Sequence, residues 1–159
     1  MNFRRLRNGG FELRAIPEPF VGMLGELPDV PERHSEAADA RLYPSPSDRH
    51  DDLAEDWKDH VEPELRRLFS EARDLVRRDI ASIKATPKAH GTLRVPPENL
   101  EAWMHALTQA RLALAEAHAF TEAELSAPLD GPWNSPRDIA RLQMDFYAAL
   151  LEWIVNSAK

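Results

Sequence analysis

The sequence predicts a mainly α-helical protein of about five helices around one core, with an N-terminal β-hairpin laid across one side. Apolar residues recur three and four positions apart over several long stretches, which is the spacing of one buried helix face. Near the start, residues of alternating character flank a glycine-rich turn, which is typical of a hairpin. The 159 residues are 43% hydrophobic, so a single domain over residues 1–159 is expected.

The hairpin is predicted over residues 1–16, because Asn8-Gly9-Gly10 supplies the positive φ angles of a two-residue turn. Alternation along the strands then separates an apolar inner face from a charged outer face. The inner face is predicted to carry Leu6, Phe11, Leu13 and Ala15, and the outer face Arg5, Arg7, Glu12 and Arg14. An isolated hairpin is marginally stable in water, so a short third strand is expected beside it, with residues 92–95 as the candidate.

Three main helices are predicted from the apolar periodicity, over residues 49–85, 97–118 and 135–157. Pro63 interrupts the first stretch, and because a proline ring clashes with the preceding helical turn, a bend or break is expected there. The inward face of the last helix is predicted to carry Ile139, Leu142, Phe146, Ala149, Leu150, Trp153 and Ile154.

Shorter elements are predicted between these helices. Prolines at its start and a shared apolar face predict a short helix over residues 17–27. Residues 28–48 are rich in Pro, Asp, Glu and Ser, so a mobile loop is expected there, with at most a short helical turn. Thr121 and Glu124 have the spacing of a capping box, which predicts another helical turn.

Charge is unevenly distributed along the chain. The formal net charge is −7, and residues 26–64 hold thirteen acids against four bases, whereas residues 65–94 hold eight bases against three acids. An acidic protein disfavours broad binding to nucleic acid or to an anionic membrane, although a local basic face remains compatible with it. The longest apolar run, residues 146–151, is too short to cross a bilayer, so a cytoplasmic protein is expected.

Signatures of catalysis and of metal binding are missing from the sequence. There is no cysteine, which excludes disulfides and zinc–cysteine sites, and the six histidines show no ligand spacing. Phosphate-binding, dinucleotide-binding and nucleophile-elbow motifs are also absent. We therefore expect a protein that is not an enzyme, with neither cofactor nor metal.

Two charged residues fall within apolar helix stripes. Arg111 lies among Trp103, Leu107 and Leu114, and Asp79 lies in the stripe of the preceding helix. Since an unpaired charge there would be costly, we expect a structural ion pair between Asp79 and Arg111 that fixes how two helices pack. A ligand-binding role for these groups is the alternative.

A candidate interaction surface lies on the second part of the 49–85 helix. Its arginines are expected on the polar face, where they would meet solvent or an acidic protein partner. Trp133 stands in a Pro- and Gly-rich loop and is a candidate anchor for that partner. The arginines of this surface are Arg66, Arg73, Arg77 and Arg78. Leu112 and Leu151 are candidates for a homodimer face.

The order of segments resembles a family of uncharacterised bacterial proteins, a domain of unknown function best populated in actinobacteria. The similar parts are Phe3-Arg4-Arg5 with its hairpin, the helical stretch 103–114 followed by Thr121-Glu122, and the aromatic helix 146–154. Thr108-Gln109 stands where that family has an Asn-Asp pair. The family has no established activity, and its genes often neighbour that of the ClpS adaptor. The resemblance therefore implies a context in Clp-type proteolysis.

These observations favour a non-enzymatic protein-interaction or regulatory module. The missing catalytic motifs, the segregated charge and the implied adaptor context all favour that interpretation. The alternative is a DNA-binding transcriptional regulator that uses the arginines of the hairpin and of residues 65–94.

Overall fold

A computed structural model of the chain describes residues 1–49, 51–85 and 90–157. The predicted fold class is confirmed, because helices dominate and the N-terminal hairpin forms part of one antiparallel sheet. No helix among the described residues is long and apolar enough to span a membrane.

The sheet has four strands in the order β1-β2-β4-β3. The predicted hairpin supplies β1 (Asn2–Arg5) and β2 (Phe11–Pro17), and the candidate third strand is confirmed within β4 (His90–Val95). The two-residue strand β3 (Lys84–Ala85), which the sequence does not predict, pairs with the outer side of β4. The sheet thus joins the N-terminal hairpin to the segment just before residue 100.

The sequence leaves the register of the hairpin open between two positions of a two-residue turn, and the observed connection is longer than either. Arg5 pairs with Phe11, so five residues rather than two connect the strands, with Gly9 at φ +92°. A one-residue shift moves every side chain of a strand to the other face. Phe3 therefore stacks on Phe11 in the core, and Arg4 lies opposite Glu12 on the outer face.

A β-bulge in β2 corrects the predicted inner face. Ala15 has φ +52°, and the pairing of β2 with β4 shifts between Leu13 and Ile16. The extra residue resets the alternation, so Leu13 and Ile16 are both fully buried whereas Ala15 is half-buried.

The helices follow the prolines and caps of the sequence. Pro63 lies in the first turn of a helix, where its missing N–H is tolerated, and a π-helical segment over Trp57–Val61 replaces the predicted break. The predicted capping box of Thr121 and Glu124 is present. The helices are α1 (Glu18–Glu26), α2 (Val30–Arg33), α3 (Ser35–Leu42), α4 (Asp52–Asp56), α5 (Glu62–Ala81), α6 (Leu100–Ala117), α7 (Glu122–Ser126) and α8 (Pro136–Ser157).

The segment predicted as a mobile loop, residues 28–48, contains α2 and α3. Pro31 stands in the first turn of α2, a position that favours proline, so it supports this helix instead of blocking it. Val30, Ala38 and Leu42 are buried, and the packing of these apolar side chains offsets the weak helix propensity of the segment.

The core lies between the inner face of the sheet and the central helix α6. Trp103 is fully buried and meets the edge of the Phe11 ring. The hydroxyl of Tyr147 in α8 donates a hydrogen bond of 2.6 Å to the carbonyl of Met23, which fastens α8 to α1. Ile139, predicted inward, is 48% exposed, because at this end of α8 the residue that faces the core is Ala140 and not Ile139.

Candidate functional site

The arginines of α5 predicted as an interaction surface are largely paired within the chain. Arg66 contacts Asp39 at 3.0 Å and stacks on the ring of Tyr43. Arg77 contacts Asp29 at 2.7 Å, and this hydrogen bond raises the pKa of its guanidinium. Acidic residues from the segment before α5 thus neutralise the face that we expected to attract a partner.

Arg73 corrects the prediction most clearly, because it is buried rather than on the polar face. Its side chain is 7% exposed. One terminal nitrogen donates to Gln109 Oε1 at 2.7 Å, and the other contacts Glu32 at 3.2 Å. Arg73 therefore joins α5 to α6 and α2 and is unavailable to a partner.

The predicted ion pair between Asp79 and Arg111 does not form. Helices α5 and α6 run antiparallel, so Asp79 lies beside the start of α6 and Arg111 lies two turns further along. Asp79 accepts hydrogen bonds from Trp103 Nε1 at 2.9 Å and from Asn99 Nδ2 at 3.0 Å. Asp79 thereby fixes the packing of two helices, as expected, but with neutral partners.

The other two predicted surface residues are exposed. Arg78 lies on the solvent side of α5, and Trp133 is 40% exposed in the loop between α7 and α8. The two lie on separate elements, and nothing in the described part of the chain joins them into one site.

A second group of basic residues lies on the outer face of the sheet. Strand pairing brings Arg4, Arg14 and Arg94 around Glu12 on one side of the sheet, and it places Lys84 on the same side, opposite Thr92. We name these four basic residues and Glu12 the basic sheet face. Four of its members are cationic and one is anionic, so the face keeps an excess of positive charge in a protein whose formal net charge is −7.

Glu12 organises the basic sheet face. Its carboxylate is fully buried beneath the arginines, and Arg14 Nε and Arg94 Nε each lie 2.5 Å from one of its oxygens. The Nε atom of Arg4 lies 3.7 Å away. The hydrogen bonds from Arg94 and then Arg14 lower the pKa of Glu12, so the carboxylate stays charged at neutral pH.

The arginines over Glu12 keep donors for a further ligand. Arg4, Arg14 and Arg94 have side chains 60%, 49% and 67% exposed, and each approaches Glu12 through Nε. Their terminal nitrogens have no hydrogen-bond partner among the described residues. At the end of the sheet, a cavity of about 380 Å³ adds hydroxyl groups to these donors. Its described lining residues are Ser82, Lys84, Thr92 and Arg94.

The chemistry of this face is that of anion binding. It offers guanidinium and ammonium donors, and the cavity beside it offers hydroxyl donors. Within the described ranges, no cluster of three His, Asp or Glu side chains could hold a metal ion. The arrangement fits recognition of carboxylates or phosphates by fixed guanidinium groups.

Sequence reasoning found two of the five residues of the basic sheet face. It placed Glu12 and Arg14 on the outer face, but the assumed two-residue turn put Arg5 and Arg7 beside them instead of Arg4. Arg94 was missed as a partner, although it alternates with the apolar residues of a strand already proposed as a neighbour of the hairpin. That alternation was the available signal.

Comparisons with known proteins identify a family. Neither curated proteins nor solved structures give a match. The family model described as Domain of unknown function (DUF2017) matches residues 11–158, which is nearly the whole chain. The resemblance drawn from the sequence is thus confirmed at the level of an uncharacterised domain, and the chain belongs to the Domain of unknown function (DUF2017) family.

Proposed function

We propose that the chain is a non-enzymatic, cytoplasmic interaction module whose basic sheet face binds an acidic segment of a protein partner. One observation carries this proposal: three arginines share the single carboxylate of Glu12, and Lys84 lies on the same side of the sheet, so positive charge is left over on this face. Charge complementarity then selects a partner rich in Asp and Glu.

Preorganisation supports this function. Glu12 holds two arginines by Nε, so their outward edges are fixed before a partner arrives. A guanidinium that is already oriented loses little conformational entropy when it binds a second carboxylate. The partner therefore meets a rigid row of donors on a sheet.

The electrostatic surroundings favour a short acidic segment over a nucleic acid. The chain outside the basic sheet face is strongly acidic, as the total charge of −7 requires. A long polyanion would extend beyond the face and be repelled by this surface, whereas a short peptide would not. Binding to DNA, the alternative function, becomes an outcome of the same test.

The test measures fluorescence anisotropy of a labelled Glu-rich peptide and of a labelled DNA duplex at low salt. Charge reversal by Arg14→Glu together with Arg94→Glu is expected to weaken peptide binding at least about tenfold, since each lost charge-assisted hydrogen bond is worth that much. Arg78→Glu is the matched control, because Arg78 is exposed on α5 and outside the face. Each of the three substitutions makes the same change in charge at its position.

Three results decide the proposal. Peptide binding that weakens with salt and is lost only in the sheet variant supports an acidic partner. Duplex binding that is tighter than peptide binding, and lost in the same variant, would replace the proposal with DNA recognition. Equal loss in the Arg78 control would show that total charge, and not this face, governs binding.

A narrower form of the proposal places the partner in Clp-type proteolysis. It is supported by the family resemblance alone, and it names the ClpS adaptor as the first protein to test. Direct titration of purified adaptor against the wild-type chain and the sheet variant is the measurement. Saturable binding that requires Arg14 and Arg94 supports this narrower form, and no binding leaves only the general proposal.

A further inference from the structure

A cleft that is separate from the basic sheet face lies where α6 and α8 meet α3 and α7. Its volume is about 400 Å³, within the range of sites that hold small molecules. Residues from all four helices line it, and the largest part of its wall is apolar. The larger apolar side chains of this wall are Leu112, Phe120, Leu125 and Met144.

Arg111 brings an unmatched positive charge to this cleft. Its Nε atom is buried and has no hydrogen-bond partner among the described residues. No carboxylate of the part of the chain that the structure describes lies within ion-pair distance of its guanidinium. The two terminal nitrogens are not buried in this way and also have no hydrogen-bond partner among the described residues, so they are the donors that the cleft offers to a ligand.

The charges at the rim restrict what that ligand can be. Glu116 contacts Arg41 at 3.1 Å, and Glu122 is exposed at the first residue of α7. Because Arg41 neutralises Glu116, the charges of the lining that remain are those of Arg111 and Glu122. Glu122 would repel a doubly charged phosphate, whereas a single negative charge is matched by Arg111. The rim therefore favours a monoanion.

The shape of the donor group favours a carboxylate. The two terminal nitrogens of a guanidinium present two parallel N–H groups, which fit the two oxygens of a carboxylate. The apolar wall then has to be covered by the rest of the molecule. A ligand with a charged head and an apolar body satisfies both requirements.

The cleft is formed before a ligand binds. Helix α7 is held at its start by the capping box of Thr121 and Glu124, and at its end Arg141 donates to the carbonyls of Leu125 and Ala127. Ala119, with φ +49°, ends α6 and turns the chain into this wall. A fixed wall lowers the entropy that binding would cost.

We propose that this cleft binds a small organic monocarboxylate with an apolar body, whose head pairs with Arg111. The proposal is independent of the function assigned to the basic sheet face. It also accounts for the absence of the ion pair that the sequence predicts, because the partner of Arg111 is then a ligand and not Asp79.

The experiment uses octanoate as the probe and the full chain as the receptor. Titration calorimetry is expected to show saturable binding of octanoate, and octylamine, which has the same tail and the opposite charge, is expected not to bind. Arg111→Met should weaken octanoate binding at least about tenfold, because it removes the charge and keeps an apolar stem of similar length. Arg78→Met, far from the cleft, is the matched control and should bind as the wild type does.

A second variant keeps the test decisive if Arg111→Met does not fold. Ala115→Leu fills the cleft from α6 without altering any charge, and it should also abolish binding. The proposal is overturned if the wild type shows no saturable binding of octanoate or if octylamine binds equally well. It is also overturned if octanoate binding survives in whichever of the two variants folds. None of these results depends on whether the sheet face binds an acidic peptide.

Discussion

The arginines of α5 and those of the sheet are similar in number and exposure, yet only one group is neutralised. Arg66 and Arg77 are about as exposed as Arg14, with values of 43%, 45% and 49%. Arg66, Arg73 and Arg77 each have a carboxylate partner from the segment before α5, whereas the sheet arginines share Glu12. Exposure alone therefore does not identify a binding surface, and the number of available counter-charges does.

Chain topology explains the difference. The acidic segment that precedes α5 runs antiparallel along it, so successive acids meet successive arginines in reverse order. The three pairs are Asp29–Arg77, Glu32–Arg73 and Asp39–Arg66. In the sheet, by contrast, β2 pairs with a strand about eighty residues away, and both strands bring arginine to one face. The acidic block of residues 26–64 and the basic block of residues 65–94 therefore pair with each other within the fold. The unpaired positive charge lies on the basic sheet face.

The largest expected effect is on stability, through Arg73. Arg73→Ala should lower the free energy of unfolding by about 3 kcal/mol, because it leaves the buried side-chain oxygen of Gln109 without a donor and removes the packing of a buried apolar stem. Urea denaturation of the variant measures this loss. Arg73→Met is the matched variant, since it keeps the apolar stem but not the donors, and it should recover only the part of the loss that comes from packing of the stem. Equal losses in both variants would show that the apolar stem contributes nothing to the free energy of unfolding and that the whole loss comes from the guanidinium.

The next effect concerns the bulge that separates the two faces of the sheet. Ala15→Gly should raise the free energy of unfolding by about 0.5–1 kcal/mol. A left-handed φ costs an L-residue about 1–2 kcal/mol, which glycine avoids, but the greater backbone entropy of glycine in the unfolded chain offsets part of this stabilisation. Thermal denaturation provides the measurement. Ala81→Gly, in the last turn of α5, is the control and should destabilise. A loss in both variants would mean that Ala15 bears no strain.

A smaller effect is expected from the exposed pairs of α5. Arg66→Gln and Arg77→Gln should each cost about 0.5 kcal/mol, because partly exposed ion pairs are weak and screened by salt. Their combined loss should speed amide hydrogen exchange in α2 and α3, which those pairs hold against α5. Arg78→Gln, without such a pair, should leave the exchange unchanged. Faster exchange spread evenly over the chain would contradict a local role.

The parts of the fold that depend on neighbouring residues could be predicted from the sequence. Prolines and caps mark the ends of the main helices, and apolar spacing gives their buried faces. Trp103 and Tyr147 both lie within predicted helices, and they are fully buried. The capping box at Thr121 follows from two residues three positions apart. Such features need no knowledge of how helices pack.

The parts that depend on distant pairing could not be predicted. Asp79 and Arg111 both lie on apolar stripes, but such a stripe does not show which turn of α6 packs against which turn of α5. The partner predicted for Asp79 therefore lies two helical turns away from the observed one. Arg73 lies at the edge of its stripe, where burial depends on α2, a helix that the sequence did not predict. The register of β1 depends on the length of a glycine-rich connection, and both two and five residues suit its composition.

The smallest effect is a pH dependence that separates the two arginine groups. The pKa of Glu12 is lowered by Arg94 and Arg14, so its charged form stabilises the folded state. That contribution is complete above about pH 4.5, the ordinary value for Glu, and is lost as the pH falls through the lower folded-state value. The melting temperature of Glu12→Gln should therefore lie below that of the wild type at neutral pH, and the gap should close in acid. Asp130→Asn, at an exposed position in the loop before α8, is the control and should show no gap at any pH. A difference in melting temperature between the wild type and Glu12→Gln that stays constant down to low pH would mean that the charge of the carboxylate does not stabilise the fold. The arrangement of the sheet arginines would then need another explanation.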